Sequence, residues 1–209
     1  MTSAVETSIP GLDVSRETLA ALQQFEQLVR RWNSAINLVS KSTLTDFWSR
    51  HILDSAQIFS LSPQNSVSWA DLGSGGGFPG IVVAILAKQL KPDLRVTLVE
   101  SDLRKATFLR QAAQTLSLPV SVRSARIESI DPLQADVVSA RALAPLTGLL
   151  AYADQHLAAG GVAIFPKGAR FAEELAEARK SWAFDVDVQQ SHSDSDAAIL
   201  VIRNIHHHD

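Results

Sequence analysis

The amino-acid sequence contains no cysteine. Disulfide bonds, zinc sites built from thiolates and cysteine nucleophiles are therefore excluded. Long apolar runs are also missing, because none reaches the roughly 18 residues that suggest a membrane span. The start of the chain lacks the basic end and the apolar block of a signal peptide. These absences predict a cytoplasmic protein with no membrane partner.

A strong charge of one sign is absent as well, since 19 Lys and Arg stand against 22 Asp and Glu, for a net charge of −3. Any nucleic-acid site must therefore be a local basic patch on a mildly acidic body. A chain of 209 residues, 46% hydrophobic and 20% charged, fits one folded α/β domain with a modest extension.

Two kinds of hydrophobic pattern divide the chain. Residues 1–66 show helical spacing, with Ser15 as an N-cap and a second helix from about Thr43 to Phe59. Residues 67–209 alternate β-rich with helical runs, which predicts βαβ units and a mostly parallel sheet covered by helices. The last two strand-like runs, FDVDVQQ and AAILVIRNI, have no helix between them and must pair antiparallel. The predicted fold is an α/β core with an N-terminal helical extension.

Both ends of the chain are predicted to be loose. Residues 1–14 are interpreted as a flexible lead, and His206, His207, His208 and Asp209 as a tail. A metal site is disfavoured there, because three adjacent histidines in a tail cannot all face one ion. No metal site is expected elsewhere.

A glycine-rich loop, DLGSGGGFPG from Asp71 to Gly80, lies between a predicted strand and a predicted helix. Glycines there let the backbone turn tightly and let a ligand approach closely. One interpretation is the dinucleotide fingerprint GxGxxG through Gly75, Gly77 and Gly80, followed about 20 positions later by Glu100. The other is a methyl-donor loop, an acidic residue followed by GxGxG, through Asp71, Gly73, Gly75 and Gly77. A third is that the loop only packs the strand against the helix.

The acidic residue before the loop separates these interpretations. S-adenosylmethionine carries an ammonium and a sulfonium group and no pyrophosphate, so Asp71 would suit that cation and repel a dinucleotide. Glu100 ends the second strand, where its carboxylate would point into the ligand crevice and accept the ribose hydroxyls. Its alternative interpretation is a solvated strand end.

The residue inventory restricts the methyl acceptor. Methylation of cytosine C5 needs a thiolate, and the segment from Ser139 to Pro145 lacks the Asn/Asp-Pro-Pro-aromatic loop that commonly serves exocyclic amines. Guanine N7 has a free lone pair and attacks without losing a proton. Such an enzyme needs alignment, which can supply roughly 7–11 kcal/mol, rather than a general base. No conventional catalytic residue is therefore expected.

Basic residues cluster near the predicted crevice and favour phosphate contacts. Those predicted to bind RNA are Arg104, Lys105, Arg123, Arg141 and Lys167. Arg141 and Lys167 each end a predicted strand and so face the site, whereas the others could be solvated surface charge. In the N-terminal part His51 and Asp54 share a helix face, where fixing the helices against the core is favoured over an acid–base pair.

Six motifs occur in order along the chain: WNSAINLVS (32–40), RHILDS (50–55), DLGSGGGFPG (71–80), VESDLRKATFLR (99–110), SARALAPL (139–146) and FPKG (165–168). With these motifs the chain resembles the bacterial RsmG (GidB) family, the guanine-N7 methyltransferases of 16S ribosomal RNA. WN-x₃-NL followed by HILDS is much more specific than the glycine loop alone.

The resemblance implies a class I S-adenosylmethionine-dependent methyltransferase fold, Rossmann-like, with a seven-stranded sheet. It implies a target guanine in the 530 loop of small-subunit RNA, hence 16S rRNA or the small ribosomal subunit as partner. A monomer is expected. The donor contacts that it implies are Gly73, Phe78, Glu100, Ile127, Glu128 and Arg141. It also implies that Arg141 and Lys167 face the RNA.

Two other classes of function stay open. A nicotinamide-dependent oxidoreductase would use the GxGxxG pattern, although Asp71 and the lack of a hydride-transfer constellation argue against it. A non-enzymatic RNA-binding or assembly protein would keep a vestigial donor loop, although the loop is intact. A small-molecule methyltransferase is a milder rival, which the scattered basic residues disfavour.

Overall fold

The computed structural model describes residues 8–208. The helices are α1 (Arg16–Asn33), α2 (Asp54–Ser60), α3 (Gly80–Leu90), α4 (Leu103–Thr115), α5 (Leu146–His156) and α6 (Phe171–Ala178). The strands are β1 (Ser68–Leu72), β2 (Arg95–Val99), β3 (Val120–Arg123), β4 (Ala135–Ser139), β5 (Leu157–Lys167), β6 (Trp182–Gln190) and β7 (Ala198–His207). Two 3₁₀ turns (Lys41–Thr43 and Ile127–Ser129) and a π-helical stretch (Trp48–Leu53) complete the elements.

The strands form one seven-stranded sheet in the order β3-β2-β1-β4-β5-β7-β6. Strands β1 to β5 are parallel, and β7 pairs antiparallel with both β5 and β6. The mostly parallel sheet with its antiparallel C-terminal hairpin is therefore confirmed. The order reverses between β1 and β4, and the carboxyl ends of strands at such a switch point border the ligand crevice of open α/β sheets.

The sheet buries both of its faces, which explains why its central strands read as apolar runs. One face is covered by α1 to α4 and the other by α5 and α6. Trp69 in β1 is 1% exposed, and its indole nitrogen donates to the Ser139 hydroxyl of β4 at 2.8 Å. This bond fixes β1 to β4 directly beside the switch point.

The N-terminal part begins as its sequence predicts. Ser15 caps α1 by accepting from the Thr18 amide at 3.2 Å. The helix buries Leu22, Phe25 and Val29 in the core layer that also holds α3 and α4. The division into residues 1–66 and 67–209 stays a prediction.

The second N-terminal helix differs from the prediction of one continuous helix between Thr43 and Phe59. The chain instead forms a 3₁₀ turn, then the π-helical stretch, then α2. The wide π turn allows Phe47 and Ile52, five positions apart, to be buried together in the core. A regular α-helix would not bring those two side chains to one face.

The chain ends also differ from the prediction. Residues 1–7 of the expected lead, and Asp209, lie outside the described residues. Ile9 is only 4% exposed, and its carbonyl accepts from the Leu12 amide at 3.1 Å. The expected tail is wrong for His206 and His207, because β7 continues through them and the His207 ring packs against Trp182.

None of the helices within residues 8–208 is both long enough and apolar enough to span a bilayer.

Candidate active site

The glycine-rich loop turns the chain from the carboxyl end of β1 into α3. Gly73, Gly75 and Gly77 have φ of +65°, +51° and +87°, in the left-handed region that favours glycine. A Cβ on Gly77 would lie 2.8 Å from Ile81 and 2.9 Å from Phe25, whereas one on Gly75 would meet nothing closer than the Gly73 carbonyl at 3.7 Å. Gly77 is thus required by packing, while Gly75 borders open space.

Asp71 is fully buried beneath this loop. Its carboxylate accepts from the Ser139 hydroxyl at 2.7 Å and from the Gly80 amide at 3.2 Å. Burial raises the pKa of Asp71 to about 6, against the lowering effect of Ser139 and its other hydrogen bonds. The carboxylate therefore occupies the N-terminus of α3, the position where a dinucleotide pyrophosphate would bind. This arrangement disfavours a nicotinamide cofactor.

Glu100 joins the glycine loop to the turn before α4. Its two carboxylate oxygens accept from the amides of Gly75 and Asp102, each at 2.8 Å. The residue is 7% exposed and follows the last residue of β2. A carboxylate has about four acceptor positions, so two remain for a ligand.

These elements enclose a cavity of about 460 Å³, here called the glycine-loop cavity. Its volume lies within the range of small-molecule sites. Its floor is the glycine loop and its far side is the short 3₁₀ turn after β3. Its wall includes Leu38, Gly73, Gly75, Phe78, Glu100, Lys105, Arg126, Ile127, Glu128, Arg141, Leu143 and Tyr152.

The 3₁₀ turn supplies an apolar and an acidic group to this cavity. Ile127 is 7% exposed, and its carbonyl accepts from buried His156 at 3.1 Å. Glu128 accepts from the Tyr152 hydroxyl at 2.8 Å and from Arg126 at 3.2 Å. Hydrogen bonds from its own backbone amide and from Tyr152 lower the pKa of Glu128, which stays charged at the rim.

Arg141 follows β4 and links the cavity to the N-terminal helices. Its guanidinium donates to the Arg50 carbonyl at 3.1 Å and to Nδ1 of His51 at 2.8 Å, and lies 5.1 Å from the Phe78 ring centre. Nδ1 of His51 must then be the acceptor, so Nε2 carries the proton and donates to the Thr43 hydroxyl at 2.9 Å.

His51 is held neutral by this environment. Burial, assisted by the charges of Arg141 and Arg50, lowers the pKa of His51 to about 3. A neutral ring can accept from Arg141, whereas a protonated one would repel it. The structure therefore supports the positioning role expected for His51, which fixes Arg141 between the N-terminal helices and the sheet.

A second cavity of about 820 Å³ lies beside the first, between the N-terminal helices and the loop that joins β6 to β7. It is called the hairpin cavity here. Arg141, Ala142 and Leu143 line both cavities. Ala142 has φ of +52°, which is uncommon for a residue with a side chain. The shared segment therefore forms a wall between the two cavities.

Lys167 fixes the far end of this wall. Its side chain is 8% exposed and lies 2.6 Å from the Glu174 carboxylate and 3.1 Å from the Ala144 carbonyl. The same Glu174 oxygen accepts from the Leu146 amide at 2.8 Å. The ion pair therefore holds the segment from Ala144 to Leu146 against α6.

The family of the chain follows from comparison with known sequences. A sequence model of the GidB family, described as rRNA small subunit methyltransferase G, matches residues 18–202.

The chain belongs to the GidB family.

Relatives named ribosomal RNA small subunit methyltransferase G match over nearly the whole chain. One from Cereibacter sphaeroides is 54% identical over 197 residues, 94% of this chain and 95% of the relative. One from a Ruegeria species is 52% identical over 194 residues, 93% of this chain and 94% of the relative. The resemblance to the RsmG (GidB) family inferred from the sequence is confirmed.

Solved structures confirm the class I methyltransferase fold at low identity. An O-methyltransferase from Bacillus cereus, solved in complex with SAH, aligns with a TM-score of 0.58 at 15% identity, covering 88% of this chain and 90% of that one. The mitomycin 7-O-methyltransferase MmcR aligns with a TM-score of 0.58 at 14% identity, covering 90% and 68%.

Most of the predicted donor residues of this GidB-family chain come together. Gly73, Gly75, Phe78, Glu100, Ile127, Glu128 and Arg141 all line the glycine-loop cavity. Asp71 and Gly77 do not reach its wall and instead shape the loop from beneath. The Asp71 carboxylate, expected beside the cationic donor, is separated from the cavity and acts through the loop.

The predicted RNA-binding residues are more scattered. Lys105 lines the glycine-loop cavity and Lys167 the hairpin cavity, while Arg141 lines both. Arg104, whose side chain is 74% exposed, and Arg123, also exposed, line neither of these two cavities. The buried ammonium of Lys167 is already paired with Glu174, so its charge is committed within the protein.

Three features of the site were not predicted from the sequence. Tyr152 on α5 and Leu38 after α1 reach the glycine-loop cavity, and the hairpin cavity combines Arg50 and Asp54 with residues from the second half of the chain. These contacts join residues that are far apart in the chain, so no local residue spacing indicates them. The sequence does contain one signal, since Tyr152 is its one tyrosine and a tyrosine hydroxyl usually finds a partner. Within residues 8–208 no group of three or more His, Asp or Glu forms a potential metal site.

Proposed function

We propose that this protein transfers a methyl group from S-adenosylmethionine to N7 of a guanine in the 530 loop of 16S ribosomal RNA. The observation that carries the proposal is the pair of cavities that meet at Arg141, Ala142 and Leu143. One would hold the donor and the other the base. Membership of a family described as rRNA small subunit methyltransferases supports the acceptor class.

The residues of the glycine-loop cavity fit S-adenosylmethionine. Glu100 has two free acceptor positions for the ribose hydroxyls, and Ile127 provides an apolar surface for the adenine. The open space at Gly75 lets a ligand approach the backbone, which a Cβ would obstruct. Glu128 adds a carboxylate at the rim. When bound, the donor supplies an electrophilic methyl group on a cationic sulfur.

The protein contributes alignment rather than proton transfer. The N7 lone pair forms the new N–C bond as the C–S bond breaks, and no proton leaves. His51 is buried, uncharged and hydrogen-bonded at both ring nitrogens, and Asp71 is sealed beneath the loop, so neither is placed to act as a base. Holding two reactants in line supplies roughly 7–11 kcal/mol without any base. We propose no residue that transfers a proton.

Arg141 is the residue that would align the two reactants. It lines both cavities, and its guanidinium contacts His51, Phe78 and the Arg50 carbonyl. Not all of its five N–H donors are used by these contacts, so it can still donate to a base or a phosphate. Its position at the end of β4 makes it the direct link between donor and acceptor.

The remaining basic residues would guide the RNA. Arg104 and Arg123 are exposed, and they would contact phosphates without selecting the base. Lys105 would do so at the cavity wall, and Lys167 would act mainly by holding the wall in place. The protein would work as a cytoplasmic monomer.

Transfer of labelled methyl groups tests this proposal. Donor labelled on the methyl group is incubated with small subunits, large subunits and naked 16S RNA, all from cells that lack the enzyme. We expect incorporation in the small-subunit or 16S RNA samples only, and its loss in Arg141→Ala. A protein that binds the donor yet labels no ribosomal RNA would overturn the proposal.

A further inference from the structure

Five carboxylates line the hairpin cavity. Three of them form ion pairs with basic side chains, and a fourth is exposed. Glu174 pairs with Lys167, Asp194 with Arg50 at 3.0 Å and Glu177 with Lys180 at 2.6 Å. Glu173 is exposed on α6. The fifth is Asp54, at the start of α2.

Asp54 is half-buried and has no ion-pair partner within 4.0 Å among residues 8–208. Its Oδ1 accepts from the Ser193 hydroxyl, and within the same part of the chain Oδ2 accepts from no side chain or amide. Burial raises the pKa of Asp54, against the lowering effect of the Ser193 hydrogen bond and of the charges on Arg141 and Arg50, neither of which forms an ion pair with it. A carboxylate left in this state is a ready acceptor for donors brought by a ligand.

We propose that Asp54 is the group that reads the target base, by accepting hydrogen bonds from N1–H and the 2-amino group of guanine. This inference rests on the proposed function, since it assigns the base to the hairpin cavity. Guanine is the ribonucleobase that offers two adjacent donors on its Watson–Crick edge, and a carboxylate accepts both in parallel. Adenine presents a lone pair at N1, which a carboxylate repels.

The position of Asp54 relative to Arg141 agrees with this assignment. Both residues line the hairpin cavity, and their opposite charges interact. N7 and the Watson–Crick edge lie on opposite sides of guanine, so a base anchored by Asp54 would present N7 toward the wall shared with the glycine-loop cavity. Ser193, from the loop between β6 and β7, holds the carboxylate in place.

The charge of Asp54 also suits the product. Methylation at N7 without loss of a proton leaves a positive charge on the guanine ring. A fixed carboxylate at the opposite edge stabilises that charge as it develops, which favours the transition state over bound substrate. Asp54 would therefore affect both the choice of base and the rate of transfer.

A cycle of one protein change and one RNA change tests the proposal. Asp54→Asn places an amide where the carboxylate accepts, and inosine at the target position removes only the 2-amino group. We expect wild type to methylate small subunits with guanosine at the target position roughly 10- to 100-fold faster than small subunits with inosine there. In Asp54→Asn this ratio should fall to within about threefold of unity, with an unchanged Kd for S-adenosylmethionine.

Glu173→Gln is the matched control, because it neutralises another carboxylate of the same cavity. It should retain the wild-type ratio of guanosine to inosine transfer. The assignment of Asp54 is overturned if Asp54→Asn keeps that ratio, or if Glu173→Gln abolishes it. The ratio, unlike the overall rate, does not change when a substitution merely perturbs packing.

Wild type alone provides a second test should Asp54→Asn fail to fold. Equal rates on guanosine and inosine subunits would exclude a carboxylate that reads the 2-amino group. This failure differs from failure of the proposed function, in which wild type would methylate no guanosine subunit at all.

Discussion

At the scale of single residues, the site contains two side chains whose pKa values burial shifts far from their ordinary values. Burial raises the pKa of Asp71 to about 6 and lowers that of His51 to about 3. Each is held by specific hydrogen bonds: Asp71 by Ser139 and Gly80, His51 by Thr43 and Arg141. Their titrations affect stability in opposite directions.

We expect His51→Gln to change how stability depends on pH. Because the pKa of His51 is about 3 in the folded protein and 6.5 for an unperturbed histidine, the unfolded chain binds the extra proton between these values. Its contribution is therefore present above pH 6.5 and is lost as pH falls toward 3. The difference in unfolding free energy between wild type and His51→Gln should shrink by up to about 1.4 kcal/mol per pH unit in this window.

Urea unfolding at pH 7, 6 and 5 measures that difference. Asp71 acts with the opposite sign between its ordinary value of 3.8 and about 6, because the folded state then binds more protons. Asp71 is present in both proteins, so its contribution to the free energy of unfolding cancels from the difference between them. A difference that stays constant from pH 7 to 5 would show that His51 is not held neutral by the fold.

Glu100 tests the donor site at the same scale. In Glu100→Gln one carboxylate oxygen is replaced by an NH2 group, which cannot accept a hydrogen bond from the Gly75 or Asp102 amide. The negative charge that would attract the ribose hydroxyls is also lost. Hydrogen bonds to charged groups contribute about 1.5–3 kcal/mol, so the Kd for S-adenosylmethionine should rise about 10-fold or more. Titration calorimetry measures it.

The matched control is Asp93→Asn, an exposed carboxylate just before the opposite end of β2. Its donor Kd should equal that of wild type. Equal Kd values for Glu100→Gln and wild type would remove Glu100 from the donor site.

At the scale of elements, packing as well as backbone conformation explains why the glycine loop needs its glycines. Gly77 and Gly160 both have positive φ, +87° and +76°, but only at Gly77 would a Cβ collide with neighbouring side chains. The two positions therefore separate backbone strain from steric overlap.

We expect Gly160→Ala to lower the free energy of unfolding by about 1–2 kcal/mol, the cost of the left-handed conformation. Gly77→Ala should cost that amount and about 1–3 kcal/mol more, because Ile81 and Phe25 must move. Urea denaturation of both variants gives the comparison. Equal losses of unfolding free energy would mean that Phe25 and Ile81 move aside without measurable cost.

The Lys167–Glu174 pair is an element-level contact with a distinct test. Lys167→Met should destabilise the fold by about 1–3 kcal/mol, since Glu174 loses its cation while its carboxylate still serves the Leu146 amide. Lys167→Met with Glu174→Gln should recover part of this loss, giving a coupling of about 0.5–3 kcal/mol. Additive losses in thermal or urea unfolding would show that Lys167 and Glu174 do not stabilise each other.

The elements themselves were largely predictable from sequence. Alternating runs indicated the parallel strands, and the missing helix before the last run indicated the antiparallel hairpin, because both depend on local periodicity. The π-helical stretch was not predicted, because local spacing does not show that Phe47 and Ile52 are both buried against distant segments. Likewise, sequence placed Asp71 at the loop but could not show that Ser139 seals it.

At the scale of the whole molecule, residues 50–57 and residues 190–194 meet beside the site. Gln57 of α2 donates to the Gln190 carbonyl at 2.6 Å and accepts from the His192 amide at 3.0 Å. The Arg50–Asp194 ion pair joins the same two segments. The hairpin cavity exists only because these segments, more than 130 positions apart, come together, which explains why sequence alone did not locate it.

The most direct test of the central claim is the identity of the modified nucleoside. Small subunits from cells lacking the enzyme are treated with protein and donor, and the 16S RNA is digested and analysed by mass spectrometry. We expect a single 7-methylguanosine within the 530-loop fragment, absent when Arg141→Ala replaces wild type. A methyl group on another base, on another atom of guanine, or on no RNA fragment would contradict it.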